Sequence, residues 1–289
     1  NECGTYRYDK LVIATGADLI VPPVDGIDLK GVYFMRTPED AITLRQAIEA
    51  GEIKRALVVG GGFIGLEVAE NLAGQGVRVS VIDMAEQILP GFGPEIASFV
   101  ENHLAEQGIM TFTDTKLEAI LGDGKVEKVK TSKRPMKVDA VIFSTGVRPN
   151  TGFLSDTGIK LGKNGAIIVN EHMETNIEDI YALGDCAVVS NTMTGKEAYS
   201  PMGSSANIQG RILAQNLNGD SKSYKGVLGT AVAKLPGLNI GKTGLTEDAA
   251  KAEGHDVVTV VIVVDDKAHY YPGASNFIVK MIADKSNKK

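Results

Sequence analysis

The chain has no tryptophan, only four histidines and only two cysteines among its 289 residues. Cys3 and Cys186 lie far apart and form no Cys-x-x-Cys pair, which excludes a disulfide framework and a zinc ribbon and points to a reducing, cytoplasmic setting. His103, His172, His255 and His269 fall at no ligand spacing, so no metal is expected. No apolar run approaches the roughly 18–20 residues that span a bilayer, and the opening "NECGTYRYDK" lacks the apolar stretch of a signal peptide. Positive charge is in deficit as well: 30 Lys and Arg against 36 Asp and Glu leave a net charge of −6. A nucleic-acid or anionic-membrane partner is therefore not expected, and the basic tail "DKSNKK" reads as solvated.

Apolar residues make up 43% of the chain, enough for a real core, and the length suggests two domains or one with an appendage. "LVIATG" (Leu11 to Gly16) reads as a strand buried on both faces and closed by a glycine turn. The adjacent prolines of "VPPVDG" make that segment a connector. Thr37-Pro38-Glu39-Asp40 predicts a helix start, with Thr as N-cap and Pro in the first turn, running to about Ala50. Arg55 to Asp83 divides into strand, glycine-rich turn, helix and second strand, a βαβ unit. A further helix is predicted from Gly93 to Gly108, followed over 109–137 by an antiparallel hairpin region. "VDAVIFSTGV" then repeats "YDKLVIATGA" without a gap, pairing Asp9 with Asp139, Thr15 with Thr145 and Gly16 with Gly146. Two copies of one strand-turn device suggest two nucleotide-binding domains of related design. Beyond a helix at "SSANIQGRILAQNL", the segments "GTAVAKLPGLNIGKTGL", "DVVTVVIVVDD" and "NFIVKMIAD" read as strands of an antiparallel third unit.

Gly60-x-Gly62-x-x-Gly65 sits between strand and helix, the context in which this pattern carries meaning. Gly60 permits the tight turn, Gly62 lets a diphosphate approach the backbone, and Gly65 allows close helix–strand packing. Free N–H groups and the positive dipole end at the helix start then bind phosphate. A glycine turn required by packing alone is the plainer alternative. Asp83, ending the second strand, would accept hydrogen bonds from the adenosine ribose and repel a 2′-phosphate. "MAEQILPGFG" adds no cation, so NADH is favoured over NADPH.

Together "LVIATGA", "GGGFIGLEVAE", "STGVRPN", "IYALGDCA" and "YYPGA" resemble the flavin-dependent pyridine nucleotide–disulfide oxidoreductases. The likeness is to their single-cysteine branch, and "AHYYPGAS" and "SSANIQGR" are most similar to coenzyme A-disulfide reductases. The resemblance implies an α/β fold: a Rossmann-like NADH-binding domain with an antiparallel β insertion, a partial second Rossmann-like domain of FAD type, and the start of an antiparallel α+β interface domain. Residues 1–22 and 148–220 would belong to the FAD side, 23–147 to the NADH domain with its leading helix, and 221–289 to a dimerisation unit. It also implies that the FAD fingerprint and the redox cysteine precede Asn1, making this an internal fragment that binds NADH without turning over.

Residue by residue, the resemblance assigns Gly60, Gly62, Ile64, Gly65 and Asp83 to NADH, with Gly146 and Val147 beside the nicotinamide. Phe63 matches an aromatic that covers the flavin, simple packing being the alternative. Glu67 matches a glutamate near the carboxamide, a solvated helical acid being the alternative. Gly184 and Asp185 would hold the ribityl and diphosphate region of FAD, with Thr15 and Gly16 on its adenosine side; a cap for a following helix is the other reading of Asp185. Asn207 is similar to a coenzyme A contact. Tyr270 and Tyr271 match active-site tyrosines donated across a homodimer, although a Tyr pair in a strand is ordinarily core or interface. Cys186, beside Asp185, is expected to be structural. The implied enzyme passes a hydride from NADH to FAD and on through a cysteine to coenzyme A disulfide. An NADH oxidase or peroxidase is the alternative within the family, and a non-catalytic NADH-binding module the alternative outside it.

Overall fold

Short apolar strands alternating with glycine-terminated helices build a parallel sheet. A computed structural model describes residues 4–286; Cys3 and the last three residues lie outside them. The sheet has five strands in the order Val32–Phe34, Ala140–Phe143, Arg55–Val59, Arg78–Ile82 and Met110–Phe112, every neighbour parallel. Such sheets are covered on both faces, and Leu57, Val58, Val81, Ile82, Val141 and Ile142 are fully buried.

One face is packed by the helices Pro38–Glu49, Phe63–Gly74 and Pro94–Glu106, which contribute Leu44, Leu66, Leu72, Val100 and Leu104. The other carries a three-stranded antiparallel sheet, Leu117–Leu121, Lys128–Thr131 and Met136–Lys137, joined through Leu117, Ile120 and Val129 to Leu57 and Phe143. The first helix starts as its sequence predicts. Thr37 and Asp40 form a reciprocal capping box with Pro38 at the first helical position, an arrangement contributing about 1 kcal/mol. Met110–Phe112, expected among the antiparallel strands, is instead the fifth parallel strand. It leaves the end of a crossover helix, and a helical crossover returns the chain in the parallel sense.

In the second unit Leu11–Ile13 pairs in parallel with Ile180–Ala182, over a core of Ile13, Leu154, Ile167, Ala182 and Cys186. Ala17–Leu19 and Val147–Pro149 form an antiparallel pair between the two units. The third unit opens with the hairpin Ala231–Leu235/Leu238–Lys242, whose Ala233, Leu235 and Ile240 enter the helix-side core of the five-stranded sheet. A helix, Glu247–Ala252, capped by the Thr246 hydroxyl, comes next. Then Val257–Asp265 and Asn276–Asp284 pair over nine residues. Tyr270 and Tyr271 lie in the connection of this ribbon, 75% and 58% exposed, and not in a strand; Pro272 and Gly273, the latter at φ +72°, impose a turn that overrides the β preference of tyrosine. Among the described residues no helix is long and apolar enough to cross a membrane.

Candidate functional site

The strand Arg55–Val59 ends at Gly60, whose φ is +112°. A Cβ at Gly60 would stand 2.4 Å from the Ser144 carbonyl oxygen, so the turn passes between two strand ends with room for hydrogen alone. At Gly65 a Cβ would fall 1.9 Å from the Gly60 carbonyl oxygen, which puts helix and strand in direct backbone contact. Gly62 is different in kind. Its φ is an ordinary −79° and a Cβ would meet nothing within 4 Å. Neither turn nor packing demands glycine there, whereas a diphosphate approaching the backbone would. Gly62 is also the N-cap of the helix Phe63–Gly74, with no side-chain cap. The N–H groups of the first turn, and the positive end of the helix dipole, are left for an anion. These residues fit a dinucleotide diphosphate.

Asp83 makes two backbone bonds and has acceptor capacity to spare. Its Oδ2 accepts from the Gly61 N–H at 2.6 Å and its Oδ1 from the Ala85 N–H at 2.8 Å. Each oxygen keeps lone-pair capacity for a ribose hydroxyl, while the two backbone bonds fix the fingerprint turn to the loop that follows. That loop closes on the turn a second time, the Leu89 N–H donating to the Gly61 carbonyl at 2.9 Å. Phe63 packs edge-on against Phe92, ring centres 5.9 Å apart. Ile64 and Glu67 project from the same helix into a groove of about 370 Å³ shared with Arg45 and Ile48. Gly146, at φ +95°, ends the neighbouring strand connection.

A second cradle forms at the end of Ile180–Ala182. Gly184 takes φ +76° and its N–H donates to Oε1 of the buried Gln209 at 2.8 Å. The Asp185 carboxylate faces Arg36, Nη2 to Oδ2 3.4 Å. Arg36 Nε donates to the Ala17 carbonyl at 3.1 Å, next to Gly16 at φ +69°. Thr15 Oγ1 donates to the Asn150 carbonyl at 2.6 Å. Tyr199 donates its hydroxyl to the Asp185 carbonyl at 2.9 Å; burial, and then the Asp185 charge, push its phenol up to about 12. Arg36 thus links the Gly16–Ala17 turn to Asp185, and its planar donors suit phosphate or hydroxyl oxygens. These residues fit the ribityl and diphosphate part of a flavin.

Arg36, Tyr199 and Gln209 escaped the sequence reading. Arg36 carries no motif of its own, and nothing local to residue 36 indicates a partner at 185. Asn207 is exposed on the helix Gly203–Leu217, beside Ala206 and Gln209, which touch Gly184. Tyr270 and Tyr271 form an exposed ring cluster, centres 5.4 Å apart, with His269 edge-on to Tyr270. Cys186 is fully buried and directs its Sγ to the carbonyls of Leu183 and Ile13 at 3.2 and 3.5 Å, the surroundings of a structural thiol. Among the described residues no three His, Cys, Asp or Glu side chains are grouped to hold a metal.

Residues 1–206 match the family model described as pyridine nucleotide-disulphide oxidoreductase, and residues 231–289 match that of its dimerisation domain. A CoA-dependent NAD(P)H sulfur oxidoreductase of Pyrococcus abyssi is 37% identical over 99% of this chain and 64% of its own length. An NADH oxidase of Methanocaldococcus jannaschii is 42% identical over 98% of this chain and 63% of its own. The solved structure of an NAD-dependent persulfide reductase from A. fulgidus superposes with a TM-score of 0.92 at 39% identity, covering 96% of this chain and 52% of that one. The chain spans a little under two thirds of the length of these curated relatives.

Proposed function

Because the chain belongs to the pyridine nucleotide-disulphide oxidoreductase family, we propose that it binds a reduced pyridine dinucleotide at Gly60–Gly65 and the ribityl–diphosphate region of FAD at Asp185. The whole enzyme then reduces a sulfur–sulfur bond carried by coenzyme A, coenzyme A disulfide first among them. The observation that supports this most strongly is Gly62: an uncapped helix start at a glycine that the fold itself does not need. Support for the acceptor comes from the Pyrococcus relative, named as CoA-dependent, and from the "AHYYPGAS" and "SSANIQGR" segments.

Bound flavin supplies the two-electron relay between nicotinamide and acceptor. The protein's share is placement. Asp83 fixes the fingerprint turn and grips the ribose, and the first turn of Phe63–Gly74 neutralises the diphosphate. Arg36 and Asp185 together hold the flavin's polar chain, the arginine offsetting phosphate charge beside the carboxylate. Residues 23–147 form the dinucleotide domain, 1–22 and 148–220 the flavin side, and 221–289 the start of a unit that pairs two copies. Tyr270 and Tyr271, exposed at the ribbon's connection, are the side chains this pairing would carry to the partner's site, and Asn207 would meet coenzyme A.

Titrating the chain with NADH and following the dinucleotide's fluorescence tests the reading; saturable binding that Gly62→Ala weakens is expected, and its absence refutes it. The Methanocaldococcus relative favours a second reading, an NADH oxidase. Oxygen consumption compared with thiol release from coenzyme A disulfide, in the full-length flavoprotein, separates the two. A non-catalytic dinucleotide-binding module would purify without flavin absorption.

A further inference from the structure

From Met84 to Gly93, the stretch following Asp83 contains no lysine or arginine, so nothing within it balances the charge of an adenosine 2′-phosphate. The fold imports a cation from elsewhere. Lys242, the last residue of the hairpin that docks Ala233, Leu235 and Ile240 into the helix-side core, reaches across to this stretch. A Cβ on Gly91 would lie 2.6 Å from Lys242 Nζ, and the ammonium sits 5.9 Å from the Phe92 ring centre. Phe92 packs on Phe63, the first residue of the fingerprint helix. Leu89, only two residues before Gly91, is hydrogen-bonded to Gly61, which in turn bonds Asp83. Two residues reach at most about 7 Å, so Lys242 and Asp83 flank the same short loop.

Lys242 has no ion pair among the described residues. Burial lowers its pKa. Glu95, close to Gly93, is engaged by Lys280. A half-buried ammonium held over a ring with no counter-ion is a cost to the fold that an incoming anion would offset.

We infer that Lys242 is a specificity-determining residue: it supplies the cation that lets the ribose end of the site accept a 2′-phosphorylated dinucleotide despite Asp83. This rests on the reading of Gly60–Gly65 as the dinucleotide site. The NADH preference read from the loop alone thereby becomes use of both dinucleotides.

The test is equilibrium binding of NADH and NADPH to the full 289-residue chain, comparing wild type with Lys242→Met and Lys242→Arg. Methionine keeps the aliphatic stem over Phe92 and removes the charge. We expect it to weaken NADPH about tenfold and NADH less than about twofold, with arginine retaining NADPH. Parallel weakening of both, or an unchanged ratio, overturns the inference. If the wild type binds NADH and the ratio does not move, Lys242 alone is refuted; if it binds neither dinucleotide, the site reading falls as well. Should the methionine variant not fold, lysine acylation mapped on the wild type decides. Protection of Lys242 by NADPH well beyond that by NADH is expected, and equal protection or none overturns the inference.

Discussion

Thr15 and Thr145 each clasp the chain that leaves the other: Thr15 Oγ1 donates to the Asn150 carbonyl and Thr145 Oγ1 to the Ile20 carbonyl, both at 2.6 Å. The backbone repeats the exchange, Asn150 N–H to the Gly16 carbonyl and Ile20 N–H to the Gly146 carbonyl, both at 3.0 Å. Between them lies the antiparallel pair Ala17–Leu19/Val147–Pro149. The repeated strand-Thr-Gly segment is therefore more than a sign of two similar domains. Its two copies meet and lock the crossover between them.

Replacing either threonine with valine removes one hydrogen bond, and each change should cost about 0.5–1.5 kcal/mol. If the clasp acts as one unit, Thr15→Val and Thr145→Val together should cost less than the sum, by at least about 0.5 kcal/mol. Urea unfolding of the four proteins measures this; strict additivity would show two independent bonds.

Two fingerprint glycines should fail in different ways. Gly60→Ala forces a side chain into positive φ and against the Ser144 carbonyl, so we expect a loss of about 2–3 kcal/mol of stability along with dinucleotide binding. Gly62→Ala meets open space and should melt within a degree or two of wild type while binding NADH at least about tenfold more weakly. Calorimetry beside an NADH titration distinguishes them, and equal melting losses would contradict the division of labour.

Much of this architecture is legible in the sequence, for local reasons. The Arg55 to Asp83 unit announces itself because apolar runs, a spaced glycine turn and a helical period all agree. The Thr37 to Asp40 cap is likewise written in four consecutive residues. What stays hidden depends on contacts between distant segments. Arg36 meets Asp185 across 149 positions, and Lys242 reaches a loop that looks uncharged on its own. Where two local signals compete, the choice is open until the neighbours are known: Tyr270 and Tyr271 favour a strand, and Pro272-Gly273 settle the turn. The helix Glu247–Ala252 spans six residues, too few for periodicity to show.

Asp139 and its counterpart in the repeat, Asp9, should respond unequally. Asp139 accepts from the Lys54 and Arg55 N–H groups at 3.1 and 2.9 Å and from Arg55 Nη2 at 2.8 Å, stapling two strands of the central sheet. Burial raises its carboxyl, but the Arg55 bond and the two amides outweigh this and hold it below the ordinary value. Asp9 is exposed. Asp139→Ala should cost about 1–3 kcal/mol and Asp9→Ala less than about 0.5, as read from denaturation midpoints.

Docking of the third unit should depend on acid pH. Lys280 of the ribbon bonds Glu95 of the helix Pro94–Glu106 at 3.0 Å and Glu247 of the short helix at 3.1 Å. The Lys280 bond holds the Glu95 carboxyl below its ordinary 4.5, and bonds from Lys251 and then Lys280 do the same for Glu247. Depressed carboxyls stabilise the folded form in full above about 4.5 and lose that contribution as pH falls below it. Hydrogen exchange in Val257–Asp265, corrected for intrinsic rates, should show protection steady from pH 7 to 5 and declining below 4.5. Lys280→Met should flatten that profile.

The two backbone bonds of Asp83 bear on any attempt to redesign the coenzyme choice proposed for this site. Exchanging the aspartate, the obvious first move, would untie Gly61 and Ala85 and slacken the very turn to which we assign the diphosphate, so a variant could look non-selective when it is merely unshaped. Met84, 71% exposed and free of such structural duty, is the position from which an engineer could add positive charge while leaving the anchorage whole.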